Sequence, residues 1–218
     1  MEDEISKDLD SIMAENAAEI LLDIKAVSLS PDKPFKFASG ILSPIYCDNR
    51  LLISNYDQWM TIVNYMLNII NDKIGVENFD MICGTATAGI PHGILIADAL
   101  EKPFIWVKEQ ISQPIPEGSR ILVIEDLIST GKSSGAAVDV IRNAGGVVTD
   151  IVSIFTYGMK KADDVFIEKN CMTYSVSNFD TLVDVALSKK YIKKKDIEKI
   201  CKWNSNPSEW GKKYGFEE

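Results

Sequence analysis

The chain is predicted to be an α/β protein: a mostly parallel twisted sheet flanked by helices, with a small hood formed by its two ends. Three observations carry this. Short runs of branched aliphatic residues, such as Ile-Leu-Val-Ile at 121–124, lack polar alternation and read as strands buried on both faces. Such runs alternate with stretches of helical periodicity. Two of them, ending near 84 and 125, run into loops of small residues that lead into helices.

Residues 12–27 place Ala17, Ile20, Leu21 and Ile24 at helical spacing and predict a first amphipathic helix. The stretch 35–46 follows Pro34 and carries Gly40 and Pro44 among aromatics, which suggests a short irregular β arm. A second helix is expected over 56–70. Beyond it come a strand at 79–83, a helix at 89–100, strands at 104–107 and 121–124, a helix at 133–144, and strands at 147–156 and 172–175. Three short helices close the chain. No repeat or linker-like shift in composition divides it, so one domain is expected, with a core over about 51–177 and a hood from about 1–50 plus 178–218. A ligand site should lie outside the carboxyl ends of the strands, where the loops 84–89 and 127–134 both fall.

With 218 residues, 46% of them hydrophobic, the chain can bury one substantial core. No segment approaches the run of roughly 20 apolar residues that a membrane span requires. The acidic start Met1-Glu2-Asp3-Glu4 lacks the layout of a signal peptide, and a cytoplasmic protein is expected. Cys47, Cys83, Cys171 and Cys201 are scattered, without a C-x-x-C pair and with one histidine in the chain; neither metal-site spacing nor a disulfide framework is indicated. A net charge of −9 argues against nucleic-acid binding and anionic membranes. The lysines at 189–195 read as the solvated face of a helix.

The most informative stretch is 121–134. Four aliphatics are followed by Glu125 and Asp126, then by Leu127, Ile128 and the small-residue loop Ser129, Thr130, Gly131, Lys132 and Ser133, then by a helical pattern. A strand that ends in acids and turns through small residues into a helix suits a phosphorylated sugar. The loop amides and the helix dipole receive the phosphate, and the carboxylates accept from vicinal hydroxyls or lie near a magnesium ion. Gly131-Lys132-Ser133 imitates the end of a Walker A motif, but that motif requires glycine at position 126, which is Asp126.

This segment resembles the phosphoribosyl-pyrophosphate (PRPP) binding motif of type I phosphoribosyltransferases. Residues 35–50 (FKFASGILSPIYCDNR), the loop 84–92 (GTATAGIPH), 177–182 (SNFDTL) and the region from Trp203 to Trp210 are similar to orotate phosphoribosyltransferases, in the family's order and from about residue 18 onward. The resemblance implies transfer of the 5-phosphoribosyl group from PRPP to orotate, in a homodimer, with Mg2+ held mainly through PRPP. The 5′-phosphate would be wrapped by 127–133, the ribose hydroxyls met by Glu125 and Asp126, and the diphosphate received by Thr85, Ala86, Thr87, Ala88 and Gly89. Tyr46, Cys47 and Ser129 would meet orotate, with Phe37 able to cover its face; Lys36 and Arg50 are further anion candidates, and His92 reads as structural. Asp126 and Lys108 are the expected catalytic residues. Family members carry an arginine after this strand and then a long basic mobile loop. Here Lys108 holds the arginine's place, and Gln110-Ile111 resembles the family's stretch beyond the loop. Either the chain works without the loop, or the sequence as it stands omits it. A transferase for another base, and a catalytically weak PRPP-binding regulator, are the alternative readings.

Overall fold

The structure, a computed structural model, describes residues 2–37 and 39–216. Ala38 of the arm motif, and Met1 and residues 217–218 of the hood segments, lie outside these.

Five strands form one all-parallel sheet in the order β6-β5-β7-β8-β9: β5 (Met81–Thr85), β6 (Phe104–Val107), β7 (Ile121–Ile128), β8 (Asp150–Thr156) and β9 (Met172–Asn178). Strand periodicity sends alternate residues of β7 into two cores. Leu122 and Ile124 join Ile82, Val152 and Ile154 on one face, under α1 (Glu2–Asp23), α2 (Tyr56–Ile69), α3 (Gly89–Ala99) and α6 (Phe179–Ser188). Ile121 and Val123 join Cys83, Ile105 and Ile151 on the other, against α4 (Lys132–Asn143) and α5 (Lys160–Glu168). That double burial is why these strands read as unbroken aliphatic runs.

Among the described residues, antiparallel strand pairing occurs in the N-terminal arm, and a single antiparallel bridge joins Val107 to Ile111. In the arm β1 (Val27–Leu29) pairs with β4 (Ile45–Cys47), and β2 (Phe35–Lys36) with β3 (Leu42–Ser43). The last two helices, α7 (Lys194–Ser205) and α8 (Pro207–Lys213), pack on this arm: Trp203 donates from Nε1 to the Leu42 carbonyl at 3.1 Å.

Four expectations are corrected. The first helix ends at Asp23, and the chain turns through Lys25 (φ 60°), so that Val27 pairs with Cys47 in β1. β7 does not stop at Ile124, because Leu127 and Ile128 continue the ladder opposite Phe155 and Thr156; only 129–131 remain as loop. The strand expected at 147–156 begins at Asp150. The helix α5 between β8 and β9 was not anticipated. Its sequence buries Ala162 and Phe166 alone, one turn apart, too narrow a stripe to register as helical periodicity.

Candidate active site

β5 and β7 are neighbours, and each delivers one predicted loop to the carboxyl edge of the sheet. After Thr85 the chain turns through 86–88, with a cis peptide between Ala86 and Thr87, and enters α3 at Gly89. The Ala86 N–H is taken by the Val107 carbonyl at 2.7 Å, whereas those of Thr87, Ala88 and Gly89 meet no acceptor among the described residues. Gly89 is required by space. A Cβ there would stand 2.5 Å from the Ile124 carbonyl oxygen and 2.5 Å from Thr85 Oγ1. At the end of β7, Gly131 caps α4 with φ 72°, a conformation that favours glycine. The N–H groups of Thr130, Gly131, Lys132 and Ser133 are likewise unbonded among the described residues. Two clusters of amides without an acceptor among the described residues thus stand at adjacent strand ends, each at a helix N-terminus, an arrangement that attracts phosphate oxygens.

The acid pair lies between them, and its members differ. Glu125 is 5% exposed, and both of its carboxylate oxygens accept hydrogen bonds. Oε1 accepts from Thr85 Oγ1 (2.7 Å) and the Asp126 N–H (3.0 Å), while Oε2 accepts from Ser134 Oγ (2.8 Å). Both acids were expected at the ribose; in this structure Glu125 also ties β5, β7 and the start of α4 together. Asp126 is the half-buried acid: its carboxyl shares a hydrogen bond with Glu125 and meets the N–H groups of Asp126 and Leu127, but no side chain from another element engages it. Burial first, and the charge of Glu125 second, push its carboxyl well above the usual carboxylate range. The Asp126 carbonyl accepts from Asn49 Nδ2 (2.7 Å), and Asn49 Oδ1 is the partner of Cys47 Sγ at 3.3 Å. Asn49 therefore anchors the arm to the acid strand. It was not singled out in the sequence, where it is one polar residue 77 positions from its partner.

Tyr46 is 41% exposed, its ring 5.6 Å from Phe35 and 6.3 Å from Phe37. Phe37 also meets Trp203 edge-on at 6.2 Å, so aromatic rings wall the space between the arm and the sheet. Burial, and then Asp126, push the Cys47 thiol up, which leaves it protonated and unreactive. Ser129, Phe37 and Trp203 line a cavity of about 400 Å³ there. Arg50 is engaged by Asp48 within its own turn, at 2.6 Å. Lys36 and Lys132 are exposed. His92 is buried, and its Nδ1 accepts from Trp59 Nε1 at 2.7 Å, which puts the ring proton on Nε2; burial pushes its pKa down to about 4 and keeps it neutral.

After β6 the chain reverses at once. Val107 bridges Ile111, the Lys108 N–H donates to the Gln110 carbonyl (3.2 Å), and the Ser112 N–H donates to the Trp106 carbonyl (2.9 Å). A closed turn stands where the resemblance implied a long loop, and Lys108 is exposed on it, beside the 86–88 turn.

No family model matches the chain. It is 42% identical to proteins named orotate phosphoribosyltransferase from Listeria innocua (89% of this chain, 97% of the relative) and Bacillus subtilis (93% and 98%). A third, from Coxiella burnetii, is also 42% identical over 90% of this chain and 98% of its own. Among solved structures, orotate phosphoribosyltransferase from Aeropyrum pernix superposes with a TM-score of 0.68 at 24% identity, covering 77% of this chain and 97% of that one. An adenine phosphoribosyltransferase reaches 0.58 at 18% identity, covering 73% and 98%. The shared fold therefore serves more than one base, and the sequence relatives decide between them. By its sequence this chain belongs to the orotate phosphoribosyltransferase family.

Proposed function

We propose that the chain transfers the 5-phosphoribosyl group of PRPP to N1 of orotate, giving orotidine 5′-monophosphate and pyrophosphate in pyrimidine biosynthesis. The observation that carries this reading is the pair of amide clusters without acceptors among the described residues, at 87–89 and 130–133, at the ends of the neighbouring strands β5 and β7, the second of which carries the acid pair Glu125–Asp126. The N–H groups of 130–133, with Ser129, receive the 5′-phosphate; those of 87–89 receive the diphosphate, with Lys108 as the nearby cation. Asp126 meets the ribose hydroxyls, and Tyr46, Cys47 and Ser129 border the base. N1 of orotate attacks the anomeric carbon as its bond to the pyrophosphate oxygen breaks, so positioning and stabilisation of the leaving group govern the rate.

The residues present fit a magnesium ion held mainly by the diphosphate of PRPP. No cluster of three or more His, Cys, Asp or Glu side chains that could hold a metal ion occurs among the described residues. Asp126 can offer a carboxylate whose charge a cation would offset, whereas the oxygens of Glu125 are occupied. When bound, the ion neutralises charge developing on the leaving pyrophosphate.

We also read 1–50 and 178–218 as a hood over the base end of a core at 51–177, and the protein as a cytoplasmic homodimer. Its four free cysteines suit a reducing compartment, and no helix among the described residues is long and apolar enough to cross a membrane. Exposed Leu51, Ile53 and Tyr56, on the stretch just after the arm, are apolar surface for a second copy.

A coupled assay of orotate consumption in the presence of PRPP and magnesium tests the function, with turnover expected. Retained PRPP binding without any turnover would favour a regulator, the reading that the closed turn at 108–110 supports.

A further inference from the structure

Tyr157 directly follows β8, at the carboxyl edge of the sheet, and it is 3% exposed. Its ring is fixed on three sides: Trp203 meets it near-perpendicularly at 5.3 Å, Phe155 at 5.6 Å, and Phe179 at 6.3 Å. Its backbone is fixed too. The N–H donates to the Ile128 carbonyl (2.9 Å), and its own carbonyl accepts from Asn204 Nδ2 (2.8 Å). Yet the hydroxyl of this immobilised ring has no hydrogen-bond partner among the described residues, and its oxygen, unlike His92 Nε2 and Asn204 Oδ1, is not sealed from accessible space. The residue lines the cavity of about 400 Å³ that Ser129, Phe37 and Trp203 also border. Tyr46 and Cys47, on the strand expected to meet the base, lie close enough for their charges to act on the hydroxyl.

A polar group held rigid by apolar neighbours and left unsatisfied at the wall of a cavity is preorganised for a ligand rather than for the fold. We propose that Tyr157 is a base-recognition residue, its hydroxyl donating a hydrogen bond to an oxygen of the pyrimidine acceptor. Burial pushes the phenol well up, so at neutral pH the hydroxyl carries its proton and can donate to a carbonyl or carboxylate oxygen. Orotate presents such oxygens on its ring and on its carboxylate. The inference rests on the orotate reading above and adds to it a residue that neither the arm nor the PRPP loop contains.

The test is Tyr157→Phe, which deletes the hydroxyl and keeps the ring packing. Steady-state kinetics should show the KM for orotate raised about tenfold, the size of one hydrogen bond, with the KM for PRPP within about twofold of the parent. The Tm should be unchanged or higher, since no internal partner is lost. Calorimetric titration with orotate should show the same weakening. An unchanged KM for orotate overturns the proposal, as does an equal rise in both KM values with a fall in Tm, which would mark a packing role. If the parent protein neither binds nor consumes orotate, the functional reading itself fails and this inference with it; that result is visible before the variant is compared.

Discussion

Replacing Asp126 with Asn separates what this acid costs the fold from what it gives the site. In the folded chain its carboxyl is pushed up to about 7 from an unperturbed 3.8, chiefly by burial and then by Glu125. The folded state therefore holds a proton that the unfolded chain has already released, and between about pH 4 and pH 7 stability falls as pH rises. Above pH 7 the loss is complete. At about 1.4 kcal/mol for each pH unit of displacement, the wild-type protein forfeits several kcal/mol, on the order of 4. Asparagine has the shape of the protonated acid and escapes the loss. Asp126→Asn should thus match the parent near pH 3.5, below the unfolded value, and exceed it by pH 8, with a Tm difference on the order of 10 °C for a chain of this size. Thermal melts of both proteins across that range give the difference directly, and other titrating groups cancel in the comparison. Calorimetry with PRPP and magnesium should show the opposite trend, a loss of about tenfold or more in affinity, because a charge-assisted contact goes. A Tm difference that does not vary with pH would refute the buried-charge argument. Unchanged PRPP affinity would remove Asp126 from the ligand site.

Gly89→Ala should raise the KM for PRPP at least about tenfold and cost about 1–3 kcal/mol, since the new methyl would lie 2.5 Å from a strand carbonyl that cannot retreat; an unchanged KM would show that the 86–89 turn does not meet the diphosphate. Light scattering at micromolar concentration should report twice the 24.2 kDa chain mass, and a monomer would leave the exposed Leu51, Ile53 and Tyr56 without their proposed cover.

The sequence revealed as much of this site as local chemistry encodes. The aliphatic run 121–124 had to be a strand, the acids had to stand at or near its end, and glycine with small residues had to come next; the structure brings 84–89 and 125–133 together at neighbouring strand ends as expected. The features that remained hidden depend on distant partners. Nothing local distinguishes Glu125 from Asp126. The difference arises because Thr85, 40 residues earlier, and Ser134, on the next helix, both donate to Glu125. Asn49 and Tyr157 were missed for the same reason, since an amide 77 residues from the carbonyl it holds and a tyrosine with an idle hydroxyl look ordinary until the chain is folded. α5 was hidden by composition, because two buried residues are enough to dock a short helix at the rim of a core.

The closed turn at 108–110 bears most directly on the rate expected in the orotate assay. Both amide clusters, Asp126 and the aromatic walls belong to the sheet and its arm, so on the proposed reading PRPP and orotate are expected to bind without any loop. The leaving pyrophosphate is a different matter, because charge develops there during the reaction and cations must meet it. On this stretch Lys108 alone is available, beside turn residues 86–88 that carry no charge. Removing one charge-stabilising group from an active site typically costs about a hundred- to a thousandfold in rate. Ordinary affinities with slow turnover are therefore expected, and they should respond to a cationic peptide loop inserted between Lys108 and Gln110 by a rise in kcat with little change in either KM. Fast turnover by the chain as it stands would show that magnesium and the backbone amides suffice, and that the loop's cations are dispensable in this protein.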